Sequence, residues 1–102
     1  MLPKKYKYRP LPDGLTIEKS NIEGLGLFTK IELHRDHCLG YSHLTDKRFE
    51  NDLVRTPLGG FINHSDKPNC EIRQTRDTFQ LYTICRIPEN TELTVDYNKI
   101  IK

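Results

Sequence analysis

Apolar and polar residues alternate over short stretches from Leu15 onward, with turn-forming residues between them. The pattern predicts extended segments at 16–19 and 25–29 on either side of a turn at 20–24, and a further strand at 37–41. Short strands separated by turns are typical of a mainly β protein.

The clearest alternation lies in the second half of the chain. Residues 71–75 and 78–87 flank a two-residue turn and predict a β-hairpin. One face of the second arm carries Phe79, Leu81, Thr83 and Cys85, and the other carries Gln80, Tyr82, Ile84 and Arg86. A turn at 88–90 then leads into a predicted extended segment at 92–97.

Residues 45–55 carry the one helix-like pattern. Phe49, Leu53 and Val54 recur at near-helical spacing among polar residues, which is compatible with a short helix. The predicted fold is therefore mainly β, with many short strands and at most one short helix.

The length and net charge of the chain limit the kinds of protein that it can be. A chain of 102 residues has room for one domain with a small core, and its net charge of +2 is too slight to indicate nucleic acid as the main partner. The apolar runs are too short to cross a membrane, and no secretory signal follows the basic start. We expect residues 1–13 to form an extended basic arm, either a solvated tail or a docking arm, and residues 14–102 to form the single domain.

The cysteines bear on the cellular compartment and do not predict disulfide bonds. Cys38, Cys70 and Cys85 are odd in number, widely spaced and without a CxxC pair, so neither a disulfide framework nor a self-contained zinc site is expected. The prediction is a reducing intracellular location, either cytoplasm or nucleus.

Candidate chemistry concentrates in a few segments. Gly24 and Gly26 lie at a predicted turn, which is either an ordinary hairpin turn or a place where backbone approaches a ligand. His64, in the polar stretch 61–70, is a candidate metal ligand, general base or hydrogen-bonded loop residue, and Cys70 is a conceivable nucleophile beside it. Tyr97 follows Asp96 at a predicted strand end. It is either a functional residue or an ordinary surface tyrosine.

In their order and spacing these segments resemble the SET-domain family. GLGLF at 24–28 is similar to the family's GxG motif, FINHS at 61–65 with PNC at 68–70 resembles its RFxNHSxxPNC motif, and ELTVDY at 92–97 resembles its ELTxDY motif. Tyr41 stands at the tyrosine of the family's EYxGE strand. The resemblance runs from about Leu15 to Asn98, and its last two motifs together are highly specific.

This resemblance implies a SET-domain (β-clip) fold with a C-terminal pseudoknot, and a protein lysine N-methyltransferase that uses S-adenosylmethionine (SAM) without a metal. SAM would be bound by Gly24, Leu25, Gly26, Asn63 and His64, largely through backbone atoms. Tyr97 would be the catalytic tyrosine, Tyr41 a channel tyrosine with a catalytic role, and Val95 and Ile72 would line the lysine channel with it.

The sequence departs from many family members in three respects. The chain ends five residues after Tyr97 without a cysteine-rich post-SET segment, so Cys70 is expected to be a small buried residue rather than a zinc ligand. A second subunit, the basic N-terminal arm or the substrate itself would then complete the channel, and analogy with minimal viral members predicts a homodimer. Val95 stands where many relatives have Phe or Tyr, which leaves room for di- or trimethylation, and Ser42-His43 follows Tyr41 in place of Gly-Glu.

Two other functions compete with the enzyme. A degenerate SET module would bind a peptide or partner without turnover, although retention of Asn63, His64 and Tyr97 argues against decay. A nucleic-acid-binding protein would use the basic arm. The substrate is expected to be a lysine-containing protein or peptide, a histone tail or another, and the sequence names neither the protein nor the lysine.

Overall fold

A computed structural model describes residues 11–45, 48, 53–76 and 78–99. In chain order the strands are β1 (Leu15–Lys19), β2 (Leu25–Thr29), β3 (Cys38–Thr45), β4 (Leu53–Arg55), β5 (Asn63–His64), β6 (Cys70–Thr75), β7 (Thr78–Thr83), β8 (Thr91–Glu92) and β9 (Thr94–Val95). One short helix, α1 (Pro57–Gly60), precedes β5, and a 3₁₀ turn (Tyr97–Lys99) follows β9. The mainly β prediction is confirmed.

The strands form three small sheets. The first has the order β1-β2-β8, the second β4-β3-β7-β6, and the third is the pair β5-β9. β1 and β2 are an antiparallel hairpin around the turn at 20–24, as predicted, with Leu15 opposite Thr29. β8 pairs with β2 through Phe28 and Thr29, so a segment from the end of the chain extends the first hairpin.

The predicted hairpin at 71–75 and 78–87 is confirmed in position, but its second strand is shorter. β7 buries Phe79, Leu81 and Thr83 on one face and ends at Thr83. Cys85, predicted to share a face with these three residues, is exposed because the chain leaves the sheet: Ile84 donates its N–H to Asn69 O instead, at 3.0 Å. Strand alternation predicts which face is buried and does not report where pairing stops.

The predicted helix over 45–55 lies mostly outside the described residues. Its described end, Leu53–Arg55, is strand β4, which pairs antiparallel with β3. Within the described residues the α-helix is the single turn α1, with Pro57 in its first turn, where the missing N–H of proline would have no helical partner. Of the predicted arm, residues 1–10 also lie outside the described part.

β5 and β9 pair in parallel, with Asn63 opposite Thr94 and His64 opposite Val95. A parallel pair cannot be closed by a tight turn, so the intervening chain makes a long excursion through β6, β7 and β8 before it returns. The core packs around this crossing, and its least exposed apolar side chains are Leu27, Leu81, Ile87, Leu93 and Val95. The crossing brings the segment around residue 63 to the one that ends at Tyr97.

Candidate functional site

The turn between β1 and β2 is held in shape by Ser20. Its hydroxyl oxygen accepts the N–H groups of Ile22 at 2.8 Å and Glu23 at 3.3 Å, and its own N–H donates to Gly24 O at 2.8 Å. Gly24 has φ +48°, and a Cβ built there would meet no atom within 4 Å. The turn therefore presents open backbone to solvent at Gly24.

Asn63 joins this turn to β5. Its side-chain nitrogen lies 3.1 Å from Glu23 O in the turn and 3.4 Å from Leu25 O at the start of β2. The same nitrogen lies 2.8 Å from Glu92 Oε2 and 3.1 Å from Ser20 Oγ. Two amide hydrogens are thus shared among four acceptors, and the predicted SAM-binding residues Gly24, Leu25, Gly26 and Asn63 are brought to one place.

His64 and Tyr97 pack against each other. Their ring centroids are 5.2 Å apart with planes inclined at 50°, and the Tyr97 N–H donates to His64 Nδ1 at 3.0 Å. An Nδ1 that accepts leaves the imidazole proton on Nε2. Of the three roles considered for His64, this geometry supports the hydrogen-bonded loop residue.

The Tyr97 hydroxyl points back toward β5. It donates to Ile62 O at 2.7 Å, although half of the residue's surface is exposed. Partial burial and, next, the negative charge of Glu23 raise the pKa of Tyr97, while Arg55 opposes the shift. The hydroxyl therefore stays protonated at neutral pH and is a donor rather than a base.

Val95 and Ile72 line one small cavity of about 100 Å³. Cys70 and Asp96 share this cavity, and Val95 is only 1% exposed. Cys70 is buried, as expected, and burial, followed by the neighbouring Cys85, raises the pKa of its thiol to about 12. A thiol of that pKa is protonated at neutral pH, which argues against a nucleophilic Cys70–His64 pair.

Tyr41 lies in a different, open groove of about 460 Å³. The groove is lined mainly by apolar residues of β3, α1 and the segment before β1, among them Leu11, Pro12, Leu39, Leu44 and Leu58. Tyr41 is half exposed, and its carbonyl accepts the Thr56 hydroxyl at 2.6 Å. The structure thus gathers six of the predicted residues at one site: Gly24, Leu25, Gly26, Asn63, His64 and Tyr97. Val95 and Ile72 line a second concavity, and Tyr41 lines a third.

Sequence reasoning did not single out Ser20, Asn69 or Glu92. Asn69 donates its side-chain N–H to Glu92 O and accepts the Thr94 N–H, both at 2.9 Å, and so holds the segment that leads to Tyr97. Asn69 and Glu92 stand inside the PNC and ELTVDY stretches, which was the available signal. Their hydrogen-bond partners are remote in sequence, so the motifs did not indicate what Asn69 and Glu92 do.

Among the residues described, no group of three or more His, Cys, Asp or Glu side chains is placed to hold a metal ion. No helix within 11–45, 53–76 or 78–99 has the length and apolar character needed to cross a bilayer.

Comparisons with known proteins identify a family and a shared fold. The family model of the SET domain matches residues 14–98. A Plasmodium falciparum protein named as a candidate histone methyltransferase has a similar structure, with a TM-score of 0.69, 18% identity, and coverage of 85% of this chain and 95% of that chain. The methyltransferase domain of human PR domain-containing protein 2 has a TM-score of 0.68 at 12% identity, covering 83% and 77%. At these identities the two structures show the shared fold alone, and no curated protein matches the sequence.

Proposed function

The chain belongs to the SET domain family, whose members are SAM-dependent protein lysine methyltransferases, and on that premise we propose that this protein transfers a methyl group from SAM to a lysine ε-amine. The observation that carries the proposal is the position of Tyr97. Its hydroxyl is held at the Ile62 carbonyl, next to Asn63, His64 and the glycine-containing turn. A binding module without turnover needs no such hydroxyl there.

The residues present fit SAM by charge and by access. SAM supplies a methyl group on a positively charged sulfonium, and carbonyl oxygens and carboxylates favour such a cation. Here Ile62 O faces the site, and the Glu23 carboxylate is near enough to raise the pKa of Tyr97. Gly24, Leu25 and Gly26 would hold SAM on the turn side, and Asn63 and His64 on the β5 side.

The chain's own contribution to the chemistry is positioning and water exclusion. A lysine amine has a pKa of about 10.4, so making it neutral at pH 7 costs roughly 4.6 kcal/mol. Tyr97 stays protonated and cannot remove that proton, so we propose that the proton leaves to water before transfer. The hydroxyl then orients the neutral amine, and alignment of reactants in such a site is worth up to about 7–11 kcal/mol.

Substitution of Tyr97 by Phe tests the proposal. We expect Tyr97→Phe to lower kcat by about 100-fold or more, as loss of one aligned hydrogen-bonding group does elsewhere, with SAM affinity within about twofold. The measurements are transfer from radiolabelled SAM to lysine-containing proteins, histones included, and SAM binding by calorimetry. Tyr82→Phe is the matched control, because Tyr82 lies on β7 with its ring against Arg73.

Two outcomes contradict the proposal. Equal activity in wild type and Tyr97→Phe removes the hydroxyl from its role. SAM binding without transfer to any lysine substrate favours the binding-module alternative.

Assembly and compartment are part of the proposal. We propose a homodimer in which apolar side chains around the site are covered, since Ile22, Leu25 and Tyr97 are each about half exposed. Light scattering that gives a monomer at all concentrations would contradict it. The cysteines at 38, 70 and 85 are free, in keeping with the proposed reducing compartment.

A further inference from the structure

We propose that Glu92 is a positioning residue of the methyl-donor site, acting through Ser20 and Asn63 rather than by contact with the reacting atoms. The inference rests on the proposed function and adds a residue to it. We call Ser20, Asn63 and Glu92 with their mutual hydrogen bonds the Ser20–Asn63–Glu92 cluster.

The Glu92 carboxylate joins three segments of the chain. It accepts the Ser20 hydroxyl, which lies 2.8 Å from each carboxylate oxygen, and the Asn63 amide at 2.8 Å. Ser20 begins the turn, Asn63 lies in β5, and Glu92 lies in β8. Hydrogen bonds to a charged acceptor are stronger than neutral ones, so the carboxylate can hold both partners in fixed orientations.

The orientation of Ser20 sets the backbone of the turn. Ser20 Oγ donates to Glu92, which directs its remaining lone pairs toward the N–H groups of Ile22 and Glu23. Asn63 meanwhile contacts the carbonyls of Glu23 and Leu25. The turn that would contact SAM is thus fixed from both sides by groups that Glu92 orients.

Gly26 shows how closely Glu92 packs against this turn. A Cβ added at Gly26 would overlap a carboxylate oxygen of Glu92 and lie 2.9 Å from its Cδ and 3.1 Å from Ser20 Cβ. Gly26 is buried, whereas the Cβ position at Gly24 is open. An alanine at 26 would therefore displace the Glu92 carboxylate from its hydrogen bonds, whereas Gly24 is the glycine that leaves backbone open to a ligand.

The cluster is separate from the contacts that hold the catalytic candidate. Tyr97 is positioned by Ile62 O and by His64 Nδ1, neither of which bonds Glu92. Loss of Glu92 should consequently weaken SAM binding and leave the transfer step at saturating SAM largely intact. This split between KM and kcat distinguishes a positioning role from a general loss of structure.

Binding and kinetics of Glu92→Ala provide the first test, with Glu89→Ala as the matched control, because Glu89 is exposed and precedes the same strand. We expect Glu92→Ala to raise the SAM Kd and KM about 10-fold or more, with kcat within about threefold of wild type. Glu92→Gln keeps the shape and one acceptor and should fall between. Ser20→Ala, which removes one partner only, should raise Kd in the same direction if Glu92→Ala proves too unstable to assay.

A thermodynamic cycle between positions 26 and 92 provides a second test, read by thermal unfolding and independent of activity. Gly26→Ala should lower Tm strongly in wild type and much less in the Glu92→Ala background, where the overlapping carboxylate is gone.

The outcomes separate the two proposals. A SAM Kd for Glu92→Ala equal to that of Glu89→Ala, or a fall in kcat with unchanged Kd, overturns the role of Glu92. An equal Tm loss from Gly26→Ala in both backgrounds overturns its relation to Gly26. Wild-type protein that binds no SAM overturns the proposed function instead, and the unfolding cycle still reports on the cluster.

Discussion

Asn69 holds together the segment that carries both Glu92 and Tyr97, so its replacement by alanine should destabilise the protein. Asn69 Nδ2 donates to Glu92 O at 2.9 Å and Oδ1 accepts the Thr94 N–H at 2.9 Å. The Asn69 carbonyl, which accepts the Ile84 N–H at 3.0 Å, is retained in the variant. Asn69→Ala therefore removes two side-chain hydrogen bonds and keeps the backbone hydrogen bond to Ile84.

The expected loss follows from the groups left without a partner. A net hydrogen bond contributes about 0.5–1.5 kcal/mol, and a buried donor or acceptor left unsatisfied costs about 1–3 kcal/mol. Thr94 is buried at 7% exposure, while Glu92 is less enclosed and its carbonyl can recruit water. We expect the free energy of unfolding to fall by about 2–4 kcal/mol, a large part of the roughly 5–15 kcal/mol typical of a domain.

Urea unfolding followed by circular dichroism measures this loss. Asn98→Ala is the matched control, because Asn98 is exposed, and its change should stay within about 0.5 kcal/mol. Asn69→Asp should lie between, since it keeps the acceptor for Thr94 and loses the donor to Glu92. If Asn69→Ala unfolds at the same urea concentration as Asn98→Ala, the segment is held by β5–β9 pairing and the reasoning from Asn69 is refuted.

Three further predictions concern pH and product. Burial and, next, the positive charge of Arg55 lower the pKa of His43, whose Nδ1 lies 3.0 Å from Ser42 Oγ and whose ring packs against Phe79. The unfolded chain therefore takes up a proton at a higher pH than the folded protein does. Stability should consequently fall as pH drops below about 6.5. Unfolding between pH 7 and 5 should show a shallower slope in His43→Gln, and an identical slope would contradict this assignment. Methyl transfer should rise between pH 7 and 9, because the lysine amine must lose its proton; a flat rate would argue against deprotonation as a limiting factor. Val95 should permit di- or trimethylation, and strictly monomethylated product by mass spectrometry would contradict that expectation.

Local patterns predicted the strands well where one face is buried. The alternation in 78–83 and the turn between 19 and 25 reproduce β7 and the β1–β2 hairpin, since strand periodicity depends on neighbouring residues alone. The same reasoning failed at Cys85 and over 53–55. At these two places the conformation depends on which segment the backbone hydrogen-bonds to, Asn69 near Cys85 and β3 at 53–55, rather than on the residue pattern.

Some members of the candidate site were predictable from the sequence, whereas Ser20, Asn69 and Glu92 and the distances within the site were not. Gly24, Asn63, His64 and Tyr97 were identified from motifs, and the structure gathers them. Tyr41 was grouped with Val95 on the same grounds, yet the structure lines different concavities with them. A motif reports which residue types occur together and carries no distance between them.

The sequence by itself determined a mainly β domain, the short strands, and the polar segments from which a site could be built. Only the tertiary structure decided that Glu92, 72 residues from Ser20, accepts the Ser20 hydroxyl at the first turn, and that its carboxylate packs over Gly26. The physical reason is that burial of an apolar face is encoded locally, residue by residue. The partner of each polar group depends on how distant strands cross, here the parallel pairing of β5 with β9.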